Sequence, residues 1–221
     1  MISIQLSEET TTQPLSNNLF CLIRKDILSG TIKSGIKLTE QSICEKYNVS
    51  RTPVREALRQ LESEGLIENI PNRGAFVIGL NNRDISDMFE LRRIAEVQAI
   101  EWAIDRMSDE VIDSLEETFE FMEFYTLKND IDKVLSINTT FHGILYKATG
   151  NKMLQQMLTS YQVYLKHSAP PSYISDDYLT TILAEHKAIF EAVKSKNIAA
   201  GKNAMDYHIV QTKLRRMSNY F

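Results

Sequence analysis

The chain has 221 residues, 43% of them hydrophobic, which indicates one large globular domain or two small ones and excludes a disordered chain. No apolar run approaches the roughly 20 residues that span a bilayer. Glu8 and Glu9 are also unlike the cationic start of a signal peptide, so we expect a cytoplasmic protein with no membrane partner. Two cysteines, Cys21 and Cys44, are too few for a disulfide scaffold, and we expect both to be reduced and buried.

The net charge of −4, taken alone, argues against a protein that binds nucleic acid. The average hides a local difference, because residues 1–80 are balanced at nine basic and nine acidic side chains. Between positions 48 and 61, Arg51, Arg55 and Arg59 are accompanied by a single acidic residue, Glu56. This stretch is a local positive stripe on a neutral background.

Glycine and proline divide the chain into two parts. Five of the eight glycines and three of the five prolines lie in the first 80 residues, whereas long helical patterns fill the remainder. The change falls near Gly79, where a short strand-like run gives way to Asn81 and Asn82. We therefore predict one domain over residues 1–80 and a second over residues 81–221.

Three helices and a hairpin are predicted in the first domain. Apolar residues at helical spacing indicate helices over 14–29 and 39–47, and a third from near Pro53 to Gly65, with Ser50 or Thr52 as its N-cap. Residues 66–70 and 75–78 are predicted as two short strands, and a proline and a glycine lie in the segment between them. This order of elements predicts a winged helix-turn-helix with a small β-hairpin wing.

The second domain shows only helical patterns. No strand alternation appears beyond Ile78, so we predict an all-α six-helix bundle and a mainly α protein. The predicted helices cover residues 83–107, 108–128, 130–149, 151–168, 175–196 and 198–218.

The positive stripe lies where a recognition helix would begin. Such a helix places its first turns in the major groove, where arginine pairs with guanine, so Arg51 and Arg55 are candidates for base contacts. Arg59, one turn further on, is better placed for phosphate. The same patterns assign contacts with the DNA backbone to Ser50 and Thr52, and the hairpin residue Arg73 would either enter the adjoining minor groove or contact phosphate. The alternative is a solvated basic face whose arginines pair with Glu56 and Glu62.

Residues 50–58, Ser-Arg-Thr-Pro-Val-Arg-Glu-Ala-Leu, and residues 73–77, Arg-Gly-Ala-Phe-Val, closely resemble the DNA-binding domain of GntR-family bacterial transcription regulators. The resemblance covers about residues 14–78. It implies that Arg51 and Arg55 contact operator bases and that Gly74 lets the wing backbone approach the groove. It also places Glu40 at the start of the second helix, where it would orient the arginines. Because one such helix covers a half-site, we expect a homodimer on double-stranded operator DNA.

Three of the four histidines fall on apolar helix faces of the second domain. His142 follows Asn138 by one turn, His186 lies on the stripe of the fifth predicted helix, and His208 lies on that of the last. Buried imidazoles need partners, and a divalent cation would satisfy all three at once. Imidazole suits zinc, the expected ion, as well as nickel and other transition metals. The alternative is three separate core histidines, each hydrogen-bonded to the protein.

Residues 87–96, Asp-Met-Phe-Glu-Leu-Arg-Arg-Ile-Ala-Glu, and the later Phe141-His142 and Glu185-His186 resemble the FCD domain of the FadR subfamily over about residues 84–217. In metal-binding members of that family, an Asp and three His hold the ion. The resemblance implies His142, His186 and His208 as ligands and places Asn138 where those members have Asp. The missing charge should lower the affinity for the metal and favour an anionic effector. Arg92 would either bind an effector carboxylate or form a surface salt bridge with Glu96.

These observations predict a ligand-responsive transcription regulator, more readily a repressor than an activator, that senses a small organic acid. One alternative keeps the DNA-binding domain but gives the helical domain a metal-free pocket for an acyl ligand. Another is a metal-dependent hydrolase. We do not expect an enzyme, because the sequence has no HExxH motif and places no carboxylate beside the inward histidines.

Overall fold

The computed structural model describes residues 15–168 and 177–217. The chain divides between residues 81 and 82 into two compact units. The first has three helices and a small sheet and the second is helical, which confirms the predicted fold class. None of the described helices is both long and apolar enough to cross a membrane.

The first unit is built on three helices whose apolar faces meet. Buried positions in α1 and α3 recur at helical spacing, and they include Ile23, Val54 and Leu61, which are almost fully buried. Every predicted element is present, and each end lies within two residues of its predicted position. The elements are α1 (Leu15–Leu28), β1 (Lys37–Leu38), α2 (Glu40–Tyr47), α3 (Arg51–Ser63), β2 (Ile67–Ile70) and β3 (Gly74–Val77).

The turn between α2 and α3 follows from local chemistry. Thr39 caps α2 by accepting a hydrogen bond from the backbone of Ser42, whose side chain accepts one from the Thr39 backbone in return. Asn48 ends α2 in the left-handed conformation, which Asn tolerates better than most residues. Ser50 occupies the N-cap position of α3, but its side chain makes no capping hydrogen bond. The predicted cap is therefore right in position only.

A third strand, β1, was not predicted. It pairs antiparallel with β3, placing Lys37 opposite Phe76, and the sheet has the order β1-β3-β2. Two residues are too few to show an alternating pattern, so sequence alone could not identify this strand. The hairpin between β2 and β3 turns through Asn72 and Gly74, both at positive φ.

The second unit contains six helices among its described residues. Their ends lie within three residues of the predicted ends, and the predicted start of the fifth at residue 175 falls outside the described residues. They are α4 (Asn82–Arg106), α5 (Asp109–Leu127), α6 (Ile131–Ala148), α7 (Lys152–His167), α8 (Tyr178–Lys194) and α9 (Ile198–Met217).

Close packing of α4 against α9 fixes where the last histidine-bearing helix lies. Gly201 of α9 comes so near α4 that a Cβ there would lie 2.5 Å from Cδ1 of Ile104. Helices α6 and α8 each bury an apolar stripe that contains one histidine. The buried residues of α6 include Phe141 and His142, and those of α8 include His186 and Ile189. The interior of the bundle is therefore polar at one place.

Both cysteines differ from expectation. Cys21 is exposed and Cys44 is only half-buried, so the prediction of buried thiols was wrong. Cys21 lies between Leu19 and Ile23 on α1, the buried positions of this helix, and a helix turns position 21 away from them.

Candidate metal centre and nucleic-acid interface

The N-terminal half of α3 presents its arginines to solvent. Arg51, Arg55 and Arg59 are exposed, while Val54 and Ala57 between them are buried. This division follows from the helical period, which turns every third or fourth residue into the core. Thr52 is also exposed, so the first turns of α3 can meet a ligand without displacing protein atoms.

Arg55 is held by α2. Its Nε donates a hydrogen bond to Glu40 Oε1 at 2.7 Å, with 66% of the Arg55 side chain and 35% of the Glu40 side chain exposed. The hydrogen bond from Arg55 lowers the pKa of Glu40. Arg59 pairs instead with Glu56 on its own helix, at 3.2 Å. The alternative, in which the arginines of α3 pair with glutamates of the same helix, therefore describes Arg59 but not Arg55.

The wing places one arginine beside a glycine. Arg73 is exposed, and its guanidinium carbon lies 5.5 Å from the centre of the Phe76 ring. Gly74 has φ +97, a backbone conformation that favours glycine, and a Cβ there would lie 3.0 Å from Cε of the flexible Lys37 side chain. The hairpin can therefore bring its backbone close to a partner.

The three predicted ligand histidines meet inside the second unit. His142, His186 and His208 are at most 3% exposed, and one possible ligand atom from each lies within 4.8 Å of the others. Nε2 of His142 and Nε2 of His208 are 3.3 Å apart. Each imidazole comes from a different helix, so the cluster exists only in the folded bundle.

Each of the three rings has an acceptor on its other nitrogen. Nδ1 of His142 lies 3.1 Å from Glu96 Oε2, and Nδ1 of His208 lies 2.8 Å from Glu185 Oε2. Nδ1 of His186 lies 2.8 Å from the backbone oxygen of Ile182. A ring that donates from Nδ1 keeps a lone pair on Nε2, the arrangement that carboxylates impose on metal-binding histidines.

Among the described residues, the Nε2 atoms of the three histidines have no hydrogen-bond donor from another type of residue. Nε2 of His186 is buried and has no hydrogen-bond partner among the described residues. Nε2 of His142 and of His208 face each other, and two lone pairs at that distance repel unless a cation or a proton lies between them. A divalent cation therefore fits the donor set.

Burial keeps two of the imidazoles neutral. It lowers the pKa of His186 far below its usual value and the pKa of His208 to about 4. Burial alone would raise the pKa of Glu96, but the facing His142 and Arg92 lower it on balance. Neutral imidazole and ionised carboxylate are the forms that a metal centre requires.

The two carboxylates are held by arginines. Arg92 Nε donates to Glu96 Oε1 at 2.7 Å, and the Tyr146 hydroxyl donates to the same oxygen at 2.5 Å. Arg215 donates to both oxygens of Glu185, at 2.6 and 2.8 Å. The expectation that no carboxylate lies beside the inward histidines was therefore wrong, because Glu96 and Glu185 come from helices whose positions the sequence does not show.

Arg92 forms one of its two predicted contacts, in a different setting. It pairs with Glu96, but the side chains are 7% and 0% exposed, so this is a buried ion pair and not a surface one. The burial arises because α4 carries both residues on the face that contains Phe89 and Ala99.

Asn138 lines a cavity of the second unit. The residue is half-buried, yet its Oδ1 is fully buried and has no hydrogen-bond partner among the described residues. The cavity has a volume of about 250 Å³. Its described lining is Phe89, Arg92, Leu135, Asn138, Thr139, Gln162, Leu165, Lys166, Tyr178, Thr212 and Arg216.

Sequence reasoning assigned no site role to the two carboxylates, although both left a signal. Glu96 and Arg92 are charged residues on an otherwise apolar α4 stripe, and Glu185 directly precedes His186. A charged residue at a helix position that the apolar pattern predicts to be buried needs an oppositely charged or hydrogen-bonding partner. The identity of that partner required the structure.

A winged helix with exposed arginines, joined in one chain to a helical unit with a polar centre, defines a class of two-domain DNA-binding proteins. Residues 15–77 match the family described as "Bacterial regulatory proteins, gntR family", and residues 87–211 match the "FCD domain". The protein belongs to the GntR family of bacterial transcriptional regulators, in the group that carries an FCD domain, which is consistent with the FadR subfamily.

Two relatives of known sequence and one solved structure support this family assignment. The chain is 31% identical over 187 residues to the HTH-type transcriptional regulator YdhC of Bacillus subtilis strain 168, covering 84% of each chain. It is 30% identical to the gluconate operon transcriptional repressor of the same organism, covering 80% of this chain and 74% of that one. The fold matches E. coli McbR/YncC with a TM-score of 0.72 at 19% identity, covering 95% of this chain and all of that one. These domains and relatives are those of regulators and not enzymes, which excludes the hydrolase.

Proposed function

We propose that this regulator is a dimeric repressor whose helical domain, residues 81–221, binds a divalent metal and senses a small organic acid. Residues 1–80 bind the operator. The observation that carries the sensor proposal is the group of three buried imidazoles that turn their Nε2 atoms toward one another while Glu96, Glu185 and a backbone oxygen accept from Nδ1. The name of the gluconate operon repressor supports both repression and an acid as the signal.

The metal site consists of His142, His186 and His208, with Asn138 beside them. The buried, unpartnered Oδ1 of Asn138 supports a role as a fourth, neutral ligand or as an acceptor for the effector. When bound, the ion supplies positive charge that attracts an anion, and three imidazoles suit zinc, nickel or another transition metal. Because Asn138 contributes no charge, this attraction is larger than it would be with Asp.

The effector binds in the cavity of about 250 Å³, where Arg92 meets its carboxylate. The pairing of Arg92 with Glu96 supports this role, because it fixes the guanidinium at the cavity wall, and Glu96 in turn contacts His142, a ligand of the proposed centre. Cationic lining disfavours the alternative of an acyl chain in a metal-free pocket.

Operator recognition is assigned to exposed groups of the first unit. Arg51 and Arg55 read bases, whereas Arg59, Ser50, Thr52 and the wing residues Arg73 and Gly74 contact the backbone or the minor groove. Glu40 supports this division because it holds Arg55 and not Arg59. Effector binding then favours an arrangement of the two recognition helices of the dimer that no longer fits both half-sites.

DNA binding coupled to the acid tests this function. The full-length protein is titrated onto DNA from upstream of its own gene, with and without a panel of small carboxylates, before and after chelator treatment. We expect an acid to weaken binding in the metal-loaded protein and to have much less effect after the metal is removed. Binding that no acid alters in either state would contradict the sensing function.

A further inference from the structure

The cavity lined by Arg92 and Asn138 is small and has two ends of different character. Its volume of about 250 Å³ lies below the roughly 300–1,000 Å³ of pockets for drug-sized ligands. Arg92 and Arg216 in its wall are buried, at 6% and 5% exposure, whereas Lys166 is exposed. Arg92 pairs with the buried Glu96, whereas Arg216 donates to the backbone oxygen of Leu165, next to Lys166. Arg92 therefore lies at an inner end, and the exposed Lys166 lies at the mouth.

The charged residues of the described lining are all cationic. Three of its described residues are cationic and none is Asp or Glu. Arg92 at the inner end is balanced by Glu96 at 2.7 Å. At the mouth, no acidic side chain of the described residues lies within ion-pair distance of Lys166. The mouth therefore carries a positive charge that no acidic side chain of residues 15–168 and 177–217 pairs with.

The wall between the two ends is partly apolar. Phe89, Leu135 and Leu165 line it, and the first and last of these are buried. A short chain of methylene groups would gain free energy against this wall, whereas a charged group would lose its hydration there. Charges on a ligand are best accommodated at the ends.

We propose that Lys166 is a specificity-determining residue that binds the second carboxylate of a short dicarboxylate. The first carboxylate occupies the inner end beside Arg92 and Asn138. This assignment rests on the proposed sensing of an organic acid and narrows it to acids with two anionic groups. An exposed cation adds modest affinity, and that affinity decreases with salt.

The test compares acids of equal chain length by calorimetry on the zinc-loaded, full-length protein at low ionic strength. The pairs are succinate with butyrate and glutarate with pentanoate. We expect one diacid to bind roughly tenfold more tightly than its monoacid partner. In Lys166→Met, which keeps the apolar stem, the diacid should lose about threefold to tenfold in affinity and the monoacid should be unaffected.

Lys152→Met is the matched control. Lys152 is also an exposed lysine of α7, at the other end of the helix and outside the cavity lining. Its substitution should change neither affinity. Monoacids that bind as tightly as diacids, or a preference that Lys166→Met leaves intact, would overturn the role of Lys166 but leave acid sensing standing. Failure of both acid series to bind would contradict acid sensing and the Lys166 assignment together.

Discussion

Two Arg–Glu pairs in this protein have the same geometry and opposite surroundings. Arg55 donates from Nε to Glu40, and Arg92 donates from Nε to Glu96, both at 2.7 Å. The first pair is largely exposed, whereas the second is almost completely buried. An exposed pair is screened by water and contributes little to stability, whereas a buried charge must keep its partner.

The difference suits the two proposed tasks. A base-reading arginine must leave one partner for another without a large cost, which an exposed pair permits. A metal centre needs ligands held in one orientation, and the buried pair does this by fixing the Glu96 carboxylate that contacts His142. The same two residue types thus give an adjustable contact at the surface and a rigid one in the bundle.

Removing Glu96 breaks the buried pair and has the largest expected effect. Glu96→Ala leaves the buried Arg92, His142 and Tyr146 without their shared acceptor. We expect a loss of about 3–5 kcal/mol in the free energy of unfolding, measured by urea denaturation of chelator-treated protein. The matched variant Glu40→Ala removes the exposed partner and should leave this free energy unchanged within error. Equal losses in the two variants would contradict the comparison.

Lowering the pH tests the buried centre through its histidines. The folded-state pKa of His208 is about 4, against an ordinary value of 6.5, and that of His186 is also lowered. The unfolded chain therefore binds more protons between these values, so stability decreases as the pH falls below about 6.5. Each histidine contributes about 1.4 kcal/mol per pH unit in this window.

Urea denaturation of the chelator-treated protein from pH 7 to pH 5.5 measures this slope. The lower limit stays about one pH unit above the ordinary pKa values of carboxylates, whose titration would add its own dependence. His208→Gln should reduce the slope, and substitution of the exposed Arg55 should not. A stability that stays constant across the window would show that the imidazoles are not held neutral.

At the exposed pair, Arg55 and Arg59 should affect DNA binding differently. Arg55→Ala removes a base contact, so affinity for the operator should fall by roughly tenfold and the preference for the operator should relax. Arg59→Ala removes a phosphate contact and should weaken binding to all sequences alike, with a lower salt dependence. Fluorescence anisotropy at several salt concentrations separates the two effects. The same behaviour of both variants would contradict the assigned roles.

Glu40→Gln gives the smallest expected effect. The change releases Arg55 and removes a negative charge beside the DNA, so binding to random DNA should increase while the ratio of specific to non-specific affinity falls by about threefold. Glu45→Gln is the control, because Glu45 lies on the same helix and contacts Gln41 but not Arg55. A ratio that falls equally in both variants would reduce Glu40 to one surface charge among several.

Sequence identified the elements because their signals are local. The helical periods of α4 to α9, the glycines and the motif around Arg51 and Arg55 each lie within a few neighbouring residues. The two exceptions also have physical causes. Strand β1 is too short to show an alternating pattern, and the burial of Cys21 depends on which face of α1 packs against the core.

The candidate centre was only half visible in the sequence. Its histidines interrupt apolar stripes, which marks them individually. The contact between Glu96 and His142 joins residues 46 positions apart, and the contact between Arg215 and Glu185 joins residues 30 apart. Such contacts depend on how the helices pack, which a single sequence does not record.

Metal content of untagged, freshly purified protein tests the central claim most directly, namely that these histidines form a metal centre despite Asn138. Elemental analysis should find close to one transition-metal ion per chain, and chelator treatment should lower the unfolding temperature. The ion should be lost in His186→Ala and kept in His167→Ala, since His167 lies outside the cluster. Protein without metal, whose unfolding temperature is unaffected by chelator or by added zinc, would contradict the account.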